Sequence, residues 1–276
     1  AQRSTEVLAR FLAGIAGIGV VLPVLLYGGV VGVQVLVSLA LLIALREYVR
    51  IAFPDERPLP LTALYYVVSC ALWVVLLWFP NHVMGALVAS SMLIFVGSLF
   101  VVSDNDLGSK AMFRLGAGVL YLPFLFSFIV QVRALDGGNA GLAWIFLTLT
   151  ITWMSDTGAY FAGRFFGKNK LYERVSPKKT IEGAVGGYVG SLIGASVVKV
   201  FGLPQLSWLD LVLCTVCVCT MGILGDLIES MMKRASGVKD SGSFMPGHGG
   251  ILDRVDSLLF TAPMTWLYAT YVVYGV

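Results

Sequence analysis

From Phe11 to Leu45 the chain runs without one charged side chain, and this stretch decides most of what the sequence can become. A soluble domain of 276 residues leaves much of its surface in water and cannot hide apolar segments of this length in one core. A bilayer can, because lipid then solvates the apolar faces, at about 20 apolar residues per helical crossing. Phe11–Leu45 is too long for one straight crossing and just long enough for two, with Gly28-Gly29 supplying a turn. Comparable runs recur along the chain, so hydrophobic residues reach 58% and charged residues only 13%, against roughly 25% charged in soluble proteins. The runs are continuous rather than alternating, which argues against a transmembrane barrel.

The expected architecture is therefore an all-α, polytopic membrane protein of about nine transmembrane helices. They are placed near Val7–Tyr27, Val30–Arg46, Leu61–Phe79, Met84–Val102, Ala111–Gln131, Ala140–Ala162, Ile181–Phe201, Leu209–Met232 and Leu258–Val276. Charge supports this division, since Lys and Arg favour the cytoplasmic side of short loops. With nine crossings, 17 of the 19 basic residues fall on one side and only Arg133 and Lys199 on the other. Merging the first two spans would move Arg3 and Arg10 across. The N-terminus is thus expected in the cytoplasm and the C-terminus outside, in a cell inner membrane. The first apolar run is too long for a signal peptide and leads into further spans. The one-sided basic surface suits anionic headgroups or an anionic soluble substrate. No basic stretch interleaved with aromatics suggests nucleic acid.

Residues 1–150 read as scaffold, about five helices whose polar groups sit in loops. Glu47, beside Arg46 and Arg50, reads as a solvated helix end; Asp104 and Asp106 read as loop residues and His82 as an outer-loop residue without a specific role. Cys70, Cys214, Cys217 and Cys219 fall within spans as small apolar residues, implying neither a disulfide nor zinc.

Residues 151–276 differ, because charge, glycine and proline gather there on the basic side. One stretch runs from Trp153 through Asp156, Tyr160, Arg164 and Lys168 to Ser176-Pro177-Lys178-Lys179-Thr180-Ile181-Glu182-Gly183. The other runs from Asp226 through Glu229, Ser230, Lys233, Arg234, Lys239 and Asp240 to Pro246-Gly247-His248-Gly249-Gly250-Ile251-Leu252-Asp253-Arg254-Val255-Asp256. Asp226, Glu229, Ser230 and Lys233 share one helical face, as Asp253 and Asp256 would on a helix. An ionisable group such as Asp226 inside a span needs a wet cavity or a partner. Clustered carboxylates beside cations suit a hard divalent metal carrying phosphates, or else a salt-bridge network with Arg234 and Arg254. Ser176-Pro177 reads as a helix start, whose free amides with Lys178 and Lys179 would attract an anion. The loop around His248 has little side-chain bulk and can approach a pyrophosphate, although the Gly-Lys-Ser/Thr ending of a P-loop is absent. Gly186, Gly190 and Gly194 give the seventh span a small face for close packing, within the chain or in a homodimer. These features suit metal-dependent phosphoryl or nucleotidyl transfer at the inner leaflet.

The second stretch closely resembles the signature of the phosphatidate cytidylyltransferase (CDP-diglyceride synthetase) family. The matching residues are Ser230-x-x-Lys233-Arg234, Lys239-Asp240 and His248-Gly-Gly-x-x-Asp253-Arg254-x-Asp256, with Met245 where the pattern favours Leu or Ile. Ser176–Gly183 also resembles this family. The resemblance implies that CMP passes from CTP to phosphatidic acid, giving CDP-diacylglycerol and pyrophosphate, with Mg²⁺ and room for a second cation. It further implies Asp226, Asp253 and Asp256 as metal ligands, with Lys233 beside them in catalysis. CTP phosphates would meet Lys233, Arg234, Lys239, His248, Lys178 and Lys179, with Ser230, Asp240, Arg254 and Asp156 around the substrates. Two alternatives stay open: a related CTP-using membrane enzyme acting on an isoprenoid lipid or polyprenol, and a transporter of a phosphorylated solute. A transporter should place its binding groups near mid-membrane on several helices, often with internal repeats; here the polar groups crowd one side.

Overall fold

The structure, a computed structural model, describes residues 17–55, 57–138, 140–244 and 249–275. Its helices follow the apolar runs. Helix α1 (Gly17–Tyr27) gives way to α2 (Gly29–Ala52) at the expected glycine pair, where Gly29 has φ +59°. That is a left-handed conformation glycine adopts without a Cβ penalty. Next come α3 (Leu59–Trp78), α4 (Val83–Val101), α5 (Asn105–Val119) and α6 (Leu125–Ala134). Asp104 caps α5, its carboxylate accepting from the Leu107 N–H at 2.7 Å, so this loop residue has a local structural task. Between α5 and α6 a π-helical turn over Leu120–Phe124 contains Pro123. Proline lacks the N–H that a regular turn would use, and the wider turn accommodates it.

The C-terminal half begins with α7 (Gly141–Phe166), followed by strands β1 (Lys170–Tyr172) and β2 (Ser176–Thr180) and helices α8 (Ile181–Gly202) and α9 (Trp208–Ala235). A four-residue α10 (Leu252–Val255) leads to α11 (Leu258–Leu267), which ends in a π-helical stretch to Val273. Among the described residues six helical stretches, rather than the nine expected, are long and apolar enough to cross a membrane: Gly29–Ala52, Leu59–Trp78, Pro80–Val101, Asn105–Gly138, Ile181–Gly202 and Trp208–Ala235. Large apolar side chains such as Val67, Leu99, Phe100 and Phe201 stand exposed on them, as a lipid-facing surface requires.

The antiparallel β1–β2 hairpin is a correction to a purely helical reading. Ser176-Pro177 does not open a helix; these residues lie in β2, and α8 starts five residues later. Its N-cap is Thr180, whose hydroxyl accepts from the Gly183 N–H at 3.1 Å. Two N-cap signals lie close together here, and pairing with β1 leaves Thr180 as the one at the helix boundary. Pro177 is compatible with an edge strand, which can lose one ladder donor. Glu182 fastens the hairpin to α8, accepting from the backbone N–H groups of Lys168 and Asn169 and from the Asn169 side chain.

The glycine face of α8 is internal. A Cβ on Gly190 would lie 2.6 Å from the Met154 carbonyl oxygen, and one on Gly186 would lie 2.2 Å from the Ala162 Cβ. Met154 and Ala162 belong to α7, so the small residues serve the α7–α8 contact and leave no room there for a second copy. On its other side α7 meets α11 through two buried hydroxyl pairs, Thr148 with Thr265 and Thr152 with Thr261, each at 3.1 Å. Helix α11 also packs on α9 and α6, and α6 on α2. Four helices, α7, α8, α9 and α11, are thereby held around a common space.

Candidate active site

That space is a cavity of about 460 Å³ at the ends of α7 and α8, roofed by the hairpin. Asp156 and Arg164 enter it from α7, Lys178 and Lys179 from β2, and Cys219 and Gly222 from α9. Its floor reaches Ser257 and Thr261 beside α11. Gly222 and Gly225 keep α9 close to α11: a Cβ on Gly225 would lie 2.8 Å from the Asp256 carbonyl oxygen. This contact brings Asp256 beside Asp226.

Asp226, Asp156 and Asp256 form one electrostatic group, each within reach of the others. Lys179 makes a 2.5 Å ion pair with Asp226, and Ser230 donates to the other Asp226 oxygen at 3.2 Å. Burial and then the Asp226 charge push the Asp256 carboxyl up to about 7. Carboxylates gathered this way repel one another unless a cation sits among them, and the Lys179 ammonium stands in that position.

A second group lies beside it. Lys233 reaches Glu229 Oε1 at 2.9 Å and Asp253 Oδ1 at 2.6 Å. The other Asp253 oxygen accepts from the Ser241 N–H at 2.8 Å, the Ser241 hydroxyl at 2.9 Å and the Gly250 N–H at 2.8 Å. Burial works against ionisation of Asp253, but the hydrogen bonds from Lys233, Gly250 and Ser241 outweigh it and hold the carboxyl below its usual range.

The structure thus brings several of the expected site residues close together, with pairings that differ from those expected. Asp253, expected with Asp226 in a metal site, bonds Lys233 in this structure, and the turn at Gly249, with φ +81°, folds the Gly250 amide onto it. Among the described residues, no three His, Cys, Asp or Glu side chains converge closely enough to hold an ion as they stand. The donor chemistry still fits a hard cation: three clustered carboxylates, and a buried Glu229 Oε2 without a hydrogen-bond partner. Arg234, Lys239, Asp240 and Arg254 are exposed on the same side, where Arg254 acts on Asp156 by its charge. Arg234 donates to the Val238 carbonyl oxygen at 3.0 Å. His248 lies outside the described residues.

Glu229, noted in the sequence only for its helical face, is a partner of Lys233. Glu47 was misread altogether. It is 4% exposed and its carboxylate accepts from the Leu252 N–H at 2.8 Å and the Ile251 N–H at 3.1 Å. A signal was available: Ala44, Glu47, Tyr48 and Ile51 recur at i, i+3, i+4 and i+7, and all four are buried.

The profile of the cytidylyltransferase family matches residues 8–272, which includes every wall of the cavity. The chain belongs to this family. A phosphatidate cytidylyltransferase of Staphylococcus saprophyticus is 36% identical over 258 residues, covering 92% of this chain and 96% of the relative. One of Staphylococcus aureus (strain COL) is 35% identical over 264 residues with the same coverage. The enzyme of the same name from Bacillus subtilis is 42% identical over 147 residues, a match spanning 53% of this chain and 54% of the relative.

Proposed function

We propose that the chain transfers CMP from CTP to phosphatidic acid at the cytoplasmic face of a membrane that it crosses nine times. Near-full-length similarity to phosphatidate cytidylyltransferases carries this reading, and the cavity supplies a chemical rationale. An oxygen of the lipid phosphate attacks the α-phosphorus of CTP; the bond from that phosphorus to the bridging oxygen breaks, and pyrophosphate leaves with the electron pair. The attacking oxygen is already anionic, so no strong base is needed, and positioning and charge neutralisation supply the catalysis. Lys178 and Lys179 at the cavity mouth bind triphosphate oxygens. Lys233, fixed by Glu229 and Asp253, presents its ammonium in one orientation. Asp156, Asp226 and Asp256 would hold Mg²⁺, which when bound supplies charge neutralisation at the phosphates; Lys179 would then release Asp226 and turn to the nucleotide. The exposed apolar faces of the surrounding helices let the lipid's acyl chains stay in the bilayer while its headgroup reaches the cavity.

The purified chain in mixed micelles, given CTP and phosphatidic acid, should form CDP-diacylglycerol and pyrophosphate in equal amounts. Product from an isoprenoid lipid or a polyprenol, with none from phosphatidic acid, would overturn the assignment.

A further inference from the structure

Glu47 belongs to the half of the chain that holds none of the signature residues, yet it is bonded to Ile251 and Leu252, within the signature itself. It lies near the end of α2, 4% exposed, and among the described residues it has no salt-bridge partner. Its charge is met instead by donors from the far end of the chain. Beyond the Ile251 and Leu252 amides, the Ser241 hydroxyl lies 3.2 Å from Oε2. That hydroxyl is also 2.9 Å from Asp253 Oδ2, so the two carboxylates share it. A continuous chain of polar contacts runs from Glu47 through Ser241 to Asp253, Lys233 and Glu229. The loop is shaped around this carboxylate: a Cβ on Gly242 or Gly250 would come within 2.4 Å of a Glu47 oxygen.

We infer that Glu47 is a positioning residue for the transfer reaction, fixing Ser241 and the Ile251–Leu252 backbone so that Asp253 holds Lys233 in the site. This rests on the activity proposed above. A carboxylate is required because every neighbour named is a donor. An amide in its place would aim an N–H group at backbone N–H groups, which leaves buried donors unsatisfied. The N-terminal helices would then contribute directly to the geometry of the site.

Kinetics of Glu47→Gln, Ser241→Ala and the double variant in mixed micelles test this, with the wild type measured alongside. Wild-type turnover of CTP and phosphatidic acid checks the activity itself, so failure of that reading shows separately. Glu47→Gln should lower kcat on the order of a hundredfold, as expected for a displaced catalytic group, with KM for phosphatidic acid unchanged and a lowered thermal midpoint that still leaves the protein folded at the assay temperature. The double variant should be no slower than the slower single one, because both act through Asp253. Losses that multiply, or a kcat that falls only with the folded fraction, would overturn the inference. If Glu47→Gln does not fold, Gly242→Ala replaces it: the added methyl displaces the carboxylate and keeps its charge. The same kcat loss is expected, and normal turnover would refute the role.

Discussion

Asp253 uses both of its oxygens, one on Lys233 and the other on Ser241 and the Gly250 amide. Asp226 pairs with Lys179 and has Asp156 and Asp256 as charged neighbours. The two aspartates are equivalent in the sequence, as acids on the basic side, and the structure gives them different partners and so different expected phenotypes. Asp226→Asn removes a charge from the group suited to a cation, so its activity should fall and recover in part as Mg²⁺ is raised. Asp253→Asn should lower turnover by about a hundredfold or more through a loosened Lys233, with no recovery at high Mg²⁺. Initial rates across a Mg²⁺ series check both; recovery of Asp253→Asn would return that residue to the metal. Changing Lys178 and Lys179 together to Ala should raise KM for CTP about tenfold, the effect of losing a charge-assisted bond. Unchanged KM would leave them as topology signals.

At the scale of elements, much was legible wherever one physical constraint acted alone. Apolar length located the helices, and a glycine every fourth residue marked α8 as a close-packing helix. The partner of that face was not legible, because sequence spacing shows that a helix has a small side without showing which neighbour comes near. The hairpin was misread for a related reason: Ser176-Pro177 and Thr180 are both acceptable helix starts locally, and the choice between them depends on a strand six residues upstream. Glu47 was missed because its ligands lie some two hundred residues away. The α7–α8 contact offers a direct test. Gly190→Ala would press a methyl against the Met154 carbonyl, backbone that cannot rotate aside, and should destabilise by about 1–3 kcal/mol. Gly85→Ala on α4, where nothing lies within 4 Å of the added atom, should leave the thermal midpoint unchanged or slightly raised. Equal shifts for the two variants would mean that α7 and α8 are not in close contact.

For the whole molecule, position relative to the bilayer ties the charge pattern to the chemistry. On the proposed nine-crossing arrangement Lys233, Arg254 and the cavity lined by Lys178 and Lys179 lie on the side that carries 17 of the 19 basic residues. The same arrangement places the hairpin that roofs the cavity in the cytoplasm, on the side of the proposed substrate CTP. On that arrangement the short turn Pro80–His82 between α3 and α4 sits outside, one crossing beyond the cytoplasmic end of α2. Both Asn81 and Asn169 are exposed, so a cysteine at either should be tolerated. The native cysteines Cys70, Cys214, Cys217 and Cys219 are buried or half-buried and should give little background. In sealed, right-side-out cells, Asn81→Cys should react with a membrane-impermeant maleimide. Asn169→Cys should react only after the membrane is opened. Labelling of Asn169→Cys from outside would put the lysines and the cavity on the face without CTP, and neither the nine-crossing arrangement nor a cytoplasmic site would survive it.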